Sequence, residues 1–140
     1  MVKTVNYFLA KTEPEVYSID QLRADKQTTW DGVRNAQAVR AIRSMHKGDR
    51  VFIYHSGGVS AIVGLAEVVS EPTDDQKDAK LAVVCLRYLS HLDPPVRLAE
   101  ARAEPQFAEW ALVRQSRLST MACPAEFVAW MKKRFPGSEV

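Results

Sequence analysis

The spacing of apolar positions changes repeatedly along this chain, and each change predicts an element. Residues 5–10 combine β-branched and aromatic side chains and run toward Pro14, which predicts a strand stopped by proline. Ser18 stands three residues before Gln21, with Ile19 and Leu22 apolar, a capping-box start to a short helix ending near Ala24 or Asp25. Ala36, Ala38, Val39, Ile42 and Met45 recur at three- and four-residue spacing while Arg40, Arg43 and Lys47 fall mostly elsewhere, so an amphipathic helix ending at Gly48 follows. Residues 50–55 form a near-continuous apolar run. Ser56-Gly57-Gly58 then turns into a second run at 60–69, predicting a hairpin in which Gly64 marks a bulge or a close approach of backbone. Residues 71–80 read as a polar loop, and 81–89 as a third apolar strand closing at Leu92-Asp93-Pro94-Pro95.

Beyond Val96 the pattern shifts to short helical pieces, one carrying Leu98, Ala101 and Ala103 before Pro105, the next Phe107, Trp110 and Leu112. Residues 117–121 supply a last strand. Residues 124–135 predict a terminal helix with Pro124 near its start and Lys132, Lys133 and Arg134 at its end; Phe127, Val128, Met131 and Phe135 form its apolar stripe, and Trp130 is expected to pack against the domain. No internal repeat occurs. The expectation is a single α+β domain over 1–140, with a small, strongly curved or barrel-like sheet decorated with helices; the absence of βαβ alternation argues against parallel strands.

Composition narrows the partner more than the fold. With 46% hydrophobic and 26% charged residues the chain can bury one core, and a net charge of +2 is too mild to announce a nucleic-acid binder. The distribution is more telling: Arg34, Arg40, Arg43, Lys47 and Arg50 face a single acid, Asp49, whereas 71–78 is largely acidic. Cys85 and Cys123 support neither a zinc site nor a disulfide framework, no stretch approaches about 18 apolar residues, and the first residues lack a signal-peptide core. A soluble, cytoplasmic protein without cofactor or membrane contact is expected, its oligomeric state open with a monomer favoured. Catalytic templates fail as well: there is no glycine-rich phosphate loop, no histidine pair at metal spacing and no Gly-x-Ser-x-Gly elbow.

Four clusters carry the remaining chemistry. In the stretch 28–38, Trp30 offers a flat apolar face with one N–H, Asp31-Gly32 is turn chemistry, Arg34 adds a cation, and Asn35 stands where an oncoming helix wants a cap. On local sequence alone a core role for Trp30 stands ahead of a ligand role. Lys11-Thr12-Glu13 brings an amine, a hydroxyl and a carboxylate to a strand end, where alternation places Lys11 and Glu13 on one face and Thr12 on the other. His55 closes a strand beside Ser56 and two glycines. Residues 114–119, with Arg114, Gln115, Ser116, Arg117 and Ser119, hold the side chains used for phosphate contact and base-edge hydrogen bonding.

Taken in order, Lys11-Thr12-Glu13-Pro14, Val16-Tyr17-Ser18-Ile19-Asp20, the segment from Thr29 to Ala38, Tyr54-His55-Ser56 and the segment from Leu112 to Ser119 resemble the EVE-domain family over nearly the whole chain. The resemblance implies a PUA-like, curved, mostly antiparallel β-barrel decorated with helices, related to the YTH and ASCH domains. It also implies a non-catalytic module that binds a modified nucleobase, with modified cytosine in DNA the favoured ligand of the family; the residues themselves do not choose between DNA and RNA. On that basis Trp30, Asn35, His55, Ser56 and Thr12 are candidates for base contact, and Lys11, Arg34, Arg114, Arg117 and Ser119 for phosphate contact or pocket wall. The alternatives are an ASCH-type amidohydrolase acting on an acylated cytidine through Lys11 and Thr12 with Glu13 or Glu67 as acid/base, or a protein-interaction domain with a vestigial pocket. Three departures from the family pattern stand out: Thr12 in place of serine, Arg97 in place of serine after Pro95-Val96, and a short 71–80 connection.

Overall fold

The computed structural model describes residues 4–140. Strand β1 (Tyr7–Thr12) leads through helix α1 (Ile19–Asp25), strand β2 (Gln27–Trp30) and helix α2 (Ala36–Arg43) to β3 (Arg50–His55), which turns into β4 (Ala61–Val68). A two-residue β5 (Thr73–Asp74) precedes the long β6 (Ala82–Arg97), followed by α3 (Leu98–Arg102), a 3-10 turn at Pro105–Phe107, α4 (Ala111–Arg114), β7 (Thr120–Ala122) and α5 (Ala125–Arg134). Seven strands form one mixed sheet in the order β2-β6-β4-β3-β1-β7, with β5 on β6. Among the described residues no pairing joins β2 to β7, so the sheet is open and the expected barrel is not closed.

The apolar runs explain the centre of that sheet. Phe8, Leu9 and Ala10 of β1 and residues 51–55 of β3 are all buried, as continuous apolar strands covered on both faces must be. The sheet is mostly antiparallel as expected, with one parallel pair, β1 and β3, Tyr7 opposite Arg50 and Thr12 opposite His55. The crossover between them holds two helices and a strand that leaves to pair with β6, a connection with no simple βαβ periodicity to announce it.

Three further elements differ from expectation, the first being the two-residue β5, which pairs with β6 inside the 71–80 stretch expected as a loop. β2 is a strand where the residue pattern predicts only an irregular stretch, and β6 does not close at Leu92 but continues to Arg97 through Pro94 and Pro95. Those prolines need no ladder donor, because the register with β4 jumps from Gly64↔His91 to Ile62↔Val96 and leaves residues 92–95 in the break. Gly64 sits at this irregularity as expected. A Cβ there would lie 2.3 Å from Ile19 Cδ1 and 3.0 Å from the Ser90 carbonyl oxygen, so the missing side chain is what lets Ile19 dock α1 onto β4.

The helix that follows Asn35 forms but ends at Arg43, not Gly48; Ser44 Oγ donates to the Ala41 carbonyl at 2.7 Å, and the chain tightens there before the turn into β3. The buried Asp49 carboxylate holds that turn by accepting from the N–H of His46 at 2.8 Å and of Asn6 at 3.1 Å. At the opposite end of the molecule α5 lays Phe127 against Phe52, Phe107 and Trp110, with ring centroids 4.5–5.5 Å apart. Trp130 packs on Phe107 and Phe127 as expected. No helix among the described residues is long and apolar enough to cross a membrane.

Candidate functional site

The ends of β1 and β2, which do not pair with each other in the sheet, and the turns that follow them line a cavity of about 500 Å³. One wall is the end of β1, Lys11 and Thr12, with the following Val16 and Tyr17. The other is β2 and its exit, Thr28 to Arg34, and Ser119 closes a side. Gly32 adopts φ +76° in the exit turn, a left-handed conformation that other residues resist, so the turn chemistry of Asp31-Gly32 is used as its residue types predict. On the opposite wall, the N–H groups of Val16 and Tyr17 both bond the Glu13 carbonyl at 2.9 Å. Thr12 Oγ1 donates to the Tyr17 carbonyl at 2.8 Å and pins that turn to the strand end.

Trp30 is only 9% exposed, yet it is a wall of this cavity. Its indole meets Tyr17 edge to face, with centroids 6.1 Å apart and planes at 85°. Its N–H has no hydrogen-bond partner among the described residues, although it is not a fully enclosed polar atom. Tyr17 is fixed from its far end, where its hydroxyl donates to Asp25 at 2.8 Å, and burial raises the phenol above its ordinary pKa. Val16 is 76% exposed at the rim. An indole and an apolar lip thus line one space.

The charge around it is mixed but unneutralised. Lys11 Nζ donates to the Ser116 carbonyl at 3.0 Å and lies 5.4 Å from the centre of the Tyr54 ring. It has no carboxylate partner among the described residues, and burial lowers its pKa. Arg34 is exposed and makes no ion pair among the described residues, while Asp31 supplies one anion on the same wall.

Of the candidates read from the sequence, the cavity gathers Trp30, Thr12, Lys11, Arg34 and Ser119. Asn35, Arg114 and Arg117 line an adjoining, shallower cavity of about 320 Å³. Asn35 caps α2 as its position predicts, its Oδ1 accepting from the Ala38 N–H at 3.0 Å. His55 and Ser56 line neither. His55 is 8% exposed, and its Nε2 accepts the N–H of Ile19, the first residue of α1, at 3.0 Å. Burial lowers its pKa and favours the neutral ring that this acceptor role requires; Asp20 and Glu15 oppose the shift and His91 adds to it. The Ser56 N–H bonds the Thr12 carbonyl at 3.0 Å, tying the ends of β1 and β3 together.

Strand alternation misplaces one group: Thr12, the last residue of β1, shares the cavity with Lys11, while Glu13 has already entered the turn and does not line it. Glu67 is held by Arg50 at 3.1 Å and by Arg87, and these cations keep its carboxyl below the usual range. It does not line the cavity either. Val16 and Tyr17 are wall residues absent from the candidates read from the sequence, and Thr28 lay in the 28–38 stretch without a role assigned. The signal available for Val16 was a lone β-branched apolar residue among polar turn residues with no periodic partner.

A family model described as the EVE domain matches residues 6–133. This chain belongs to the EVE-domain family. Among EVE-domain relatives, thymocyte nuclear protein 1 of Homo sapiens is 31% identical over 147 residues, covering 96% of this chain and 55% of the human protein. The chain spans about half, or less, of the length of the curated relatives it matches. The solution structure of the protein Rpa0253 from Rhodopseudomonas palustris is 40% identical, covers 92% of both chains and superposes with a TM-score of 0.85. Human thymocyte nuclear protein 1, crystallised in complex with DNA containing 5-methylcytosine, is 25% identical, with 92% of this chain and 96% of that one covered and a TM-score of 0.82.

Proposed function

We propose that this EVE domain is a non-catalytic DNA-binding module that receives a modified cytosine, turned out of its stack, in the cavity between Trp30 and the Lys11-Thr12 strand end. The observation that carries this reading is the cavity itself: about 500 Å³, inside the roughly 300–1,000 Å³ range of small-ligand sites, with an aromatic wall whose N–H is unused. A planar base stacked on or against the indole gains about 1–3 kcal/mol. The Trp30 N–H and Lys11 then offer polar contacts to its edge and reject bases with a different polar edge. The apolar 5-methyl group is read by apolar contact, for which Val16 at the rim is available. The human relative bound to 5-methylcytosine DNA supports the choice of ligand class.

The test is binding of DNA duplexes that differ only in one base, cytosine or 5-methylcytosine, measured by fluorescence anisotropy. Tighter binding of the modified duplex is expected, with Trp30→Phe retaining most of the preference and Trp30→Ala losing at least about tenfold in affinity, the equivalent of one stacked base. Equal affinity for the two duplexes in wild type, or unchanged binding by Trp30→Ala, refutes the reading.

One observation favours a second reading, an amidohydrolase of the ASCH type: Lys11, a lysine of lowered pKa, shares the cavity with Thr12. Against it, the Thr12 hydroxyl is engaged by the Tyr17 carbonyl, and neither Glu13 nor Glu67 faces the cavity to act as acid or base. Release of the acyl group from an acylated cytidine, abolished by Lys11→Ala, would establish the enzyme; no turnover leaves the binding module.

A further inference from the structure

We propose that the shallow cavity formed by Asn35 and residues 114–118 holds a backbone phosphate of a nucleotide next to the base seated beside Trp30, so that the DNA strand crosses this segment and not the 73–78 segment. The inference rests on the base-binding reading above and gives the strand its path.

The two cavities touch at three points of the chain. Lys11 lines the base cavity while its Nζ bonds the Ser116 carbonyl of the shallow one at 3.0 Å. Arg34 lines the first and Asn35 the second; Ser119 lines the first and Leu118 the second. A strand leaving the base cavity over either pair of neighbours meets the shallow cavity at once.

Its lining is rich in donors and holds no carboxylate residue. Arg117 is exposed and has no acidic partner among the described residues. The Asn35 amide oxygen is used in capping α2, which leaves its two N–H donors unused. Arg114 pairs with Glu109, but both are exposed, and an exposed pair of this kind contributes so little that a phosphate can compete for the guanidinium.

The other side of the base cavity is different in kind. A larger cavity of about 880 Å³ shares Thr29, Asp31, Gly32 and Arg34 with it, but its far wall carries Asp74, Asp75 and Asp78. Arg43 pairs with Asp74 and also donates to the carbonyls of Ala79 and Leu81, holding that wall in place. Lys77 is its only other lining cation besides Arg34. A phosphodiester approaching it meets more anions than cations, whereas on the 114–118 side it meets two arginines and neutral donors.

The experiment is a salt series on a duplex carrying one 5-methylcytosine, with wild type, Arg114→Gln/Arg117→Gln and Asp75→Asn, all at exposed or rim positions. The double variant is expected to weaken binding to every sequence alike and to reduce the slope of log K against log salt by about 0.9 for each phosphate that the arginines no longer neutralise. Asp75→Asn should leave the slope unchanged. A neutral methylphosphonate linkage next to the modified base should weaken wild type but not the double variant. An unchanged slope in the double variant, or an equal methylphosphonate penalty in both proteins, overturns the proposed path while leaving the base reading intact. Loss of the distinction between cytosine and 5-methylcytosine in wild type overturns the base reading, and the path with it.

Discussion

Trp30 and Trp110 are both large indoles held against this core, and their surroundings differ. Trp110 donates its N–H to the Ala122 carbonyl at 2.9 Å and lies against Phe127 with centroids 4.5 Å apart, so donor and ring are both occupied. Trp30 is the less exposed of the two, yet its donor has no partner among the described residues and one side faces a cavity. Burial alone does not separate a structural indole from one available to a ligand; the state of its N–H and of the space beside it does.

The regions around them are built differently too. The aromatic region is fixed by rings packing on rings, with no titratable group at its centre. The cavity walls are fixed by single polar contacts: Thr12 to the Tyr17 carbonyl, His55 to the Ile19 N–H, and Asn35 and Ser18 capping their helices. A region held in the second way responds to pH and to single-atom changes, and one held in the first responds to a reduction in volume.

The largest expected effect breaks the comparison at its packed end. Trp110→Ala removes a ring from the Phe107-Phe127 cluster and should cost about 3–5 kcal/mol of stability, read as a lower urea midpoint, while the protein that remains folded keeps its preference for modified DNA. Trp30→Ala should do the reverse in proportion, weakening binding of the modified duplex at least about tenfold in the protein that remains folded. If Trp110→Ala weakens that binding as much as Trp30→Ala, the two regions are not independent.

Next in size is Gly64→Ala. The added methyl meets Ile19, which must move with α1, and the expected loss is about 1–3 kcal/mol, checked by thermal or urea unfolding. Because α1 follows directly on Val16 and Tyr17, the substitution should also weaken binding to modified DNA; a stability loss with unchanged affinity would show the cavity wall to be independent of the helix.

The smallest effect is one of pH. His55 is held neutral, with its folded pKa lowered by burial below the ordinary 6.5. The unfolded chain therefore binds the proton more readily, so the contribution of His55 is complete above about pH 6.5 and shrinks as pH falls toward the folded pKa. The wild-type advantage in unfolding free energy over His55→Gln should narrow between about pH 7 and pH 5. An advantage that stays constant over that range would remove the pH dependence from the cavity side.

Much of the local structure was legible because its causes are local. Ser18 and Asn35 announced helix starts, and both cap as expected. The apolar runs at 5–10, 50–55 and 60–69 became strands, and the 124–135 stripe became α5. What escaped depends on partners distant in sequence. β2 is four residues long and mostly polar, and it is a strand only because β6 lies beside it, Trp30 opposite Val84. The continuation of β6 through two prolines was hidden because the break in register that accommodates them belongs to the pairing with β4. The parallel pairing of β1 with β3 was hidden for the same reason.

For the candidate site, the residue types at 11–12, 30–34 and 114–119 marked polar clusters, but on local sequence alone a core role for Trp30 stood ahead of a ligand role, and the resemblance to the EVE-domain family was what joined them. Sequence thus determined which stretches could serve a ligand and which helices would start where, since caps, turns and periodicity act over a few residues. Only the tertiary structure decided that Lys11, Thr12, Tyr17 and Trp30 share one cavity while His55 turns away to hold α1. Which side chains meet depends on strand register and on where a strand gives way to a turn, and these are fixed by pairing between segments far apart in the chain.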